Sequence, residues 1–146
     1  MNPRGHALQR GSFMLEALIA LLIVALGILG LVGLQARAVQ NIGDAQYRSE
    51  AAFLSNDLLS RMWTSNQANL VADFESTGSG TPYDEFKTIV QARLPKISTT
   101  PDPDVTVTAR FGDPTMGHDV VITVFWQPPG DLQQHRYQTG GTVKLN

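Results

Sequence analysis

Hydrophobic positions follow three regimes along this chain: continuous at first, then spaced by three and four, then alternating by two. From Phe13 to Leu34, 22 consecutive positions hold a single polar side chain, Glu16. As a helix this run would extend ~33 Å, about the hydrocarbon thickness of a bilayer, so a transmembrane helix is expected over residues 12–34. No proline falls between Pro3 and Pro82, and beyond Leu34 the pattern turns periodic. Tyr47, Ala51, Leu54, Leu58 and Met62 mark one helical face, while Arg48, Glu50, Ser55, Asn56 and Arg61 take other directions. This predicts an amphipathic continuation within residues 35–71, the helix itself reaching about Asn66 and its stripe packing on the rest of the chain.

The polar stretch from Glu75 to Thr81 reads as a connector. Thr81-Pro82 has the chemistry of a helix cap and first turn, and Phe86, Ile89, Val90 and Leu94 form an apolar face, so a short helix is predicted over 82–94, ended by Pro95. After Pro101-Asp102-Pro103 the period becomes two. Val105, Val107, Ala109 and Phe111 define a strand over 105–111, and Val120, Ile122, Val124 and Trp126 a second over 120–126. Turn residues at Gly112-Asp113-Pro114, Gly117 and Pro128-Pro129-Gly130 separate these from a third strand over 134–145, expected to bend at Gly140-Gly141. The expected fold is therefore α+β: a long N-terminal helix, transmembrane in its first half, packed on a small antiparallel sheet within a head spanning 72–146.

Composition narrows the chemistry. The 146 residues suffice for one modest domain plus an anchor. Residues 35–146 carry nine Lys/Arg against twelve Asp/Glu with no basic cluster, so nucleic-acid binding is not expected. The absence of cysteine excludes disulfides and thiolate chemistry. His6, His118 and His135 occur singly, without an acidic-histidine motif nearby, and read as surface residues. Asp84/Glu85 and Asp102/Asp104 read as a favourable helix start and a turn. No phosphate-cradling loop, nucleophile elbow or zinc spacing is present, so no catalytic residue, cofactor or metal ligand is assigned and the chain is not expected to be an enzyme.

The positions around the apolar run are more informative. Met1 to Gly11 contains Arg4 and Arg10 and no acid, which favours retention of that end in the cytoplasm. The run is longer than the ~7–15 residues of a secretory signal peptide. An acidic side chain at the centre of a membrane costs ~2.5–3.5 kcal/mol, so Glu16 either reaches an interface or meets a cation from another chain. The residues alone leave both readings open.

Arg10-Gly11-Ser12-Phe13-Met14-Leu15-Glu16, followed by the apolar run, resembles the processing site of type IV prepilins. The resemblance implies that a prepilin peptidase cuts after Gly11, removing residues 1–11 as a cytoplasmic leader, and methylates the new N-terminus at Ser12. Family members most often have phenylalanine directly after the glycine, whereas here Phe13 comes second. The family glutamate aligns with Glu16, implying that its carboxylate neutralises the new ammonium of a neighbouring subunit during assembly. Gly27, Gly30 and Gly33 would then be a segment that melts in the filament. Trp126-Gln127-Pro128-Pro129-Gly130 is similar to a late strand and turn of PilV-like minor pilins, although Trp126 alternates with Val124 and Ile122 as a core residue would.

The function so implied is that of a minor pilin in the initiation and assembly of a type IV pilus. Its partners would be the prepilin peptidase, other minor pilins and the major pilin. It would be a single-pass protein of the bacterial inner membrane with a periplasmic C-terminal domain, then part of the pilus. A minor pseudopilin of type II secretion shares the same plan. A bitopic, membrane-tethered periplasmic binding domain, with residues 1–11 as a retained tail, is the alternative from another class.

Overall fold

A computed structural model describes residues 10–128 and 130–144. A helix, α1, runs from Arg10 to Thr64, followed by a turn of 3-10 helix at Gln67–Asn69 and two helices, α2 at Leu70–Phe74 and α3 at Thr81–Arg93. Three strands complete the chain: β1 at Asp104–Ala109, β2 at His118–Trp126 and β3 at His135–Val143. The architecture is the expected α+β arrangement, a long N-terminal helix packed on a small antiparallel sheet. The described residues form two compact units that divide after Gly43.

In the first unit α1 is continuous and apolar, and it is long enough to cross a membrane. In the second unit the last turns of α1 obey the periodic stripe. Ala51, Leu54, Leu58 and Met62 are buried and Tyr47 is partly so. Ser55 departs from its expected polar direction: it is fully buried, and it tolerates this because its hydroxyl donates to the Ala51 carbonyl at 2.8 Å.

The helical segment expected over 35–71 is broken. α1 stops at Thr64, where the Thr64 and Ser65 hydroxyls both donate to the Arg61 carbonyl, at 2.9 and 2.8 Å. Asn66 then adopts an extended backbone and its side chain accepts from the Ala68 N–H. Local side-chain bonding of this kind competes with the helical ladder, and the break redirects the chain so that Leu70 and Phe74 enter the core.

α3 begins one residue earlier than expected, with Gly80 in the capping position and Thr81 already helical, and Leu94 caps its end before Pro95. Its buried face is Tyr83, Phe86, Val90 and Leu94. Tyr83 was not part of the sequence-derived stripe. Its ring is buried and its hydroxyl donates to the Pro103 carbonyl at 2.7 Å. Burial, then the charges of Asp102, Asp104 and Asp84, push this phenol above its ordinary pKa, so it stays a neutral donor. Arg93 pairs with Glu50 at 2.7 Å, joining α3 to α1.

The sheet has the order β1-β2-β3, antiparallel throughout. Val105 faces Ile122 and Val107 faces Val120 across β1 and β2, while Trp126 faces His135 across β2 and β3. β1 ends at Ala109, two residues short of the expected strand. Phe111 is therefore not a core residue: it is 84% exposed, with a left-handed φ of 53°, and the Arg110 guanidinium lies 5.3 Å from its ring centre. Gly117, at φ 104°, returns the chain into β2, where a β-carbon would lie 2.8 Å from the Val143 carbonyl oxygen.

β2 starts at His118, two residues earlier than expected, and its alternation is incomplete because Thr123 is buried with Val120, Ile122, Val124 and Trp126. β3 passes through Gly140 and Gly141 as one nine-residue strand, paired with Val121 and Val120, and is not divided there. The glycines are needed for approach: a β-carbon on Gly140 would sit 2.8 Å from the Val120 carbonyl oxygen, and one on Gly141 would meet the Leu59 side chain at 3.0 Å. β3 starts at His135, one residue later than expected, and ends at Val143, with Lys144 outside it; Leu145 lies outside the described residues.

Candidate functional site

The residues singled out by the prepilin resemblance fall in the first unit. The leader residues Met1 to Gln9, including Arg4 and His6, lie outside the described residues. Arg10 and Gly11 occupy the first turn of α1, and Ser12 and Glu16 follow one turn apart along it. Ser12, Leu15, Glu16, Ile19, Ala20 and Ile23 line one shallow groove on the helix surface. Ser12 and Glu16 are both exposed. Among the described residues the Glu16 carboxylate has neither an ion-pair nor a hydrogen-bond partner.

Around Glu16 the helix presents apolar side chains outward. Phe13 is 70% exposed and Leu29 68%, against 1% for Leu58 in the second unit. A continuous exposed apolar surface of this kind marks a site of contact with a membrane or another protein. Gly27, Gly30 and Gly33 are helical, and a β-carbon on any of them would meet nothing within 4 Å. Crowding inside the chain therefore does not explain them.

The remaining candidates lie in the second unit. Asp84 and Glu85 are exposed on α3, with Glu85 3.8 Å from Arg61. Asp102 accepts from Lys96 at 2.6 Å and Gln91 at 2.8 Å, with Lys87 at 3.7 Å. The Lys96 hydrogen bond first, and then that of Gln91, hold this carboxyl below the ordinary range. Asp104 accepts from the Ser76 hydroxyl at 2.6 Å. These are ties between elements of the head, in keeping with the turn and helix-start readings. Trp126 is 3% exposed and belongs to the core, as its alternation indicated.

The histidines depart from expectation. His118 is buried at the start of β2, with its Nδ1 lacking a partner. His135 is half-buried and stacks on Trp126, the ring centres 5.7 Å apart and the planes inclined by 16°. Its Nε2 donates to the Asp131 carboxylate at 2.8 Å. That bond first, supported by the Gln133 N–H, lowers the Asp131 pKa. Asp44, on α1, brings a third group: the ligand-capable atoms of Asp44, Asp131 and His135 all lie within 4.8 Å of one another. The Asp131/His135 spacing of four is visible in the chain, but across a turn it carries no periodic signal. Asp44, 87 residues earlier, gives none.

Comparison of the chain with protein-family models, with curated proteins and with solved structures gave no match.

Proposed function

We propose that this chain is a type IV minor pilin, made as a precursor, cut after Gly11 and assembled through α1. The observation that carries the reading is the acid at Glu16. It stands five residues beyond Gly11, inside an apolar run that is exposed along its length and lacks a cationic partner among the described residues. Cleavage after Gly11 would create an ammonium at Ser12, and the Glu16 carboxylate of an adjacent subunit would neutralise it in an environment where neither charge is stable alone. Pairing of this kind would set the axial register between subunits, with the head outside the membrane. Gly27, Gly30 and Gly33 would lower the cost of unwinding α1 on assembly, since each costs about 1 kcal/mol relative to alanine in a helix. The protein's activity in this reading is assembly and involves no chemistry of its own.

Mass spectrometry of the protein from cells with an active prepilin peptidase tests the proposal. The expected mature chain begins at Ser12 and carries one added methyl group, and Gly11 replacement abolishes maturation. Glu16→Leu is expected to be cleaved normally but to be lost from filaments. A chain that keeps residues 1–11 in assembled fibres or membrane complexes would instead be a membrane-tethered domain, and the assembly reading would fall.

A further inference from the structure

We propose that Asp44, Asp131 and His135 form a binding site for a single divalent transition-metal ion, of which zinc is the best fit, clamping α1 to the connection between β2 and β3. This site is separate from Gly11 and Glu16 and goes beyond the assembly reading; neither depends on the other.

Three features of the geometry support it. The donors come from three separate places in the fold, α1, the turn after β2 and the first residue of β3, yet their ligand atoms lie within 4.8 Å of one another. Zinc bonds to nitrogen and oxygen are ~2.0–2.2 Å, which places the ligands of a tetrahedral ion about 3.4 Å apart. The Asp131–His135 pair, at 2.8 Å, would open slightly as the ion replaces the proton it shares, and Asp44 would close. Three protein ligands leave a fourth position for water.

The turn that carries Asp131 and the ring of His135 are already held. The Asp131 N–H donates to the Pro128 carbonyl at 3.1 Å, Gln127 Nε2 donates to the Asp131 carbonyl at 2.9 Å, and the Gln133 N–H donates to the Asp131 carboxylate. Stacking on the buried Trp126 holds the His135 ring. Little ordering would remain for a metal to impose, which favours affinity.

The charge balance is also unfinished. All three side chains are half-buried, and among the described residues no lysine or arginine pairs with Asp44 or Asp131. A divalent cation held among the three groups would pair both carboxylates at once. The imidazole selects the ion class, because a mixed nitrogen and oxygen set suits zinc and its neighbours, whereas calcium and magnesium require oxygen donors.

The test uses the full chain in detergent, stripped with a chelator and titrated with zinc chloride by calorimetry, with calcium chloride in parallel. One zinc ion per chain is expected, together with a higher melting temperature. Asp44→Asn and His135→Gln should each weaken binding at least about tenfold, a loss that even outer partners of metal sites produce. Asp44 makes no hydrogen bond or ion pair with another described residue, so its substitution should leave the metal-free melting curve unchanged and separates ligation from folding. His118→Gln should leave zinc affinity as it was. Absence of saturable zinc binding, or binding that survives both Asp44→Asn and His135→Gln, overturns the site. Calcium binding as tight as zinc binding overturns the assignment to a transition ion. Loss of zinc binding with normal maturation at Ser12 would refute this site alone.

Discussion

The two portions of α1 are equally helical and opposite in what surrounds them. Between Ser12 and Leu34 the helix is apolar on every side and exposed; from Asp44 to Thr64 Ala51, Leu54, Leu58 and Met62 form a stripe that is buried in the core shared with α2, α3 and the sheet, while Phe53 and Trp63 stay exposed. The contrast teaches that helix formation and burial are separate problems. A helix satisfies its own backbone whatever its environment, but a side chain gains by leaving water only where a second surface receives it. The second portion finds that surface inside its own chain. The first has none there, which is why the proposed assembly reading rests on its polar exception, Glu16, and not on the polar residues of the second portion.

The largest expected effect sets equivalent leucines against each other. Leu58→Ala removes a side chain that is 1% exposed and should destabilise the head by about 2–5 kcal/mol, the loss typical of a cavity in a packed core. Leu29→Ala, at 68% exposure, should leave the head's unfolding midpoint unchanged. Denaturant unfolding of the full chain in detergent, followed by near-ultraviolet circular dichroism, measures both. A comparable loss in the Leu29 variant would break the comparison.

A smaller effect is expected from the glycines. Gly140→Ala forces a β-carbon to 2.8 Å from the Val120 carbonyl oxygen and should cost about 1–3 kcal/mol as β2 and β3 shift apart. Gly30→Ala meets nothing within 4 Å and removes a helix penalty, so it should leave head stability unchanged. The same unfolding measurement sharpens the contrast between a glycine kept for approach and one that no neighbour in its own chain requires.

The smallest effect concerns Asp102. Its pKa is lowered in the folded state by Lys96, Gln91 and then Lys87, so its contribution to stability is present above the ordinary carboxylate value of ~3.9 and is lost as pH falls through the lower folded value. The side chain is 44% exposed, so Asp102→Asn should cost no more than about 1 kcal/mol at pH 7. Unfolding curves of wild type and variant should converge below about pH 4. A difference that persists in acid would mean that the loss is one of packing.

Much of the fold was legible wherever one periodicity dominated. The stripe Ala51, Leu54, Leu58 and Met62, the α3 face and the central positions of β1 and β2 all lie where spacing placed them. The misses cluster where local hydrogen bonding or backbone sterics overrule the pattern. Ser65 and Asn66 stop α1 early, Phe111 turns out of β1 at positive φ, and Gly140 and Gly141 keep β3 whole because Val120 and Leu59 press against them. Of the candidate chemistry, Glu16 stood out because a single charge in an apolar run is a local anomaly. Asp44, Asp131 and His135 did not, because each is ordinary among its own neighbours.

By itself, then, the sequence determined the long apolar helix, its continuation as a stripe and the helix-then-strand order, since each follows from spacing between residues near one another in the chain. The tertiary structure alone decided which polar groups would meet. Bringing Asp44 to His135 requires α1 to lie against the start of β3, and that placement comes from the shared core of Leu58, Val124 and Trp126. Periodicity records which face of an element is apolar; it holds no information about which distant side chain the packing of that face will bring alongside.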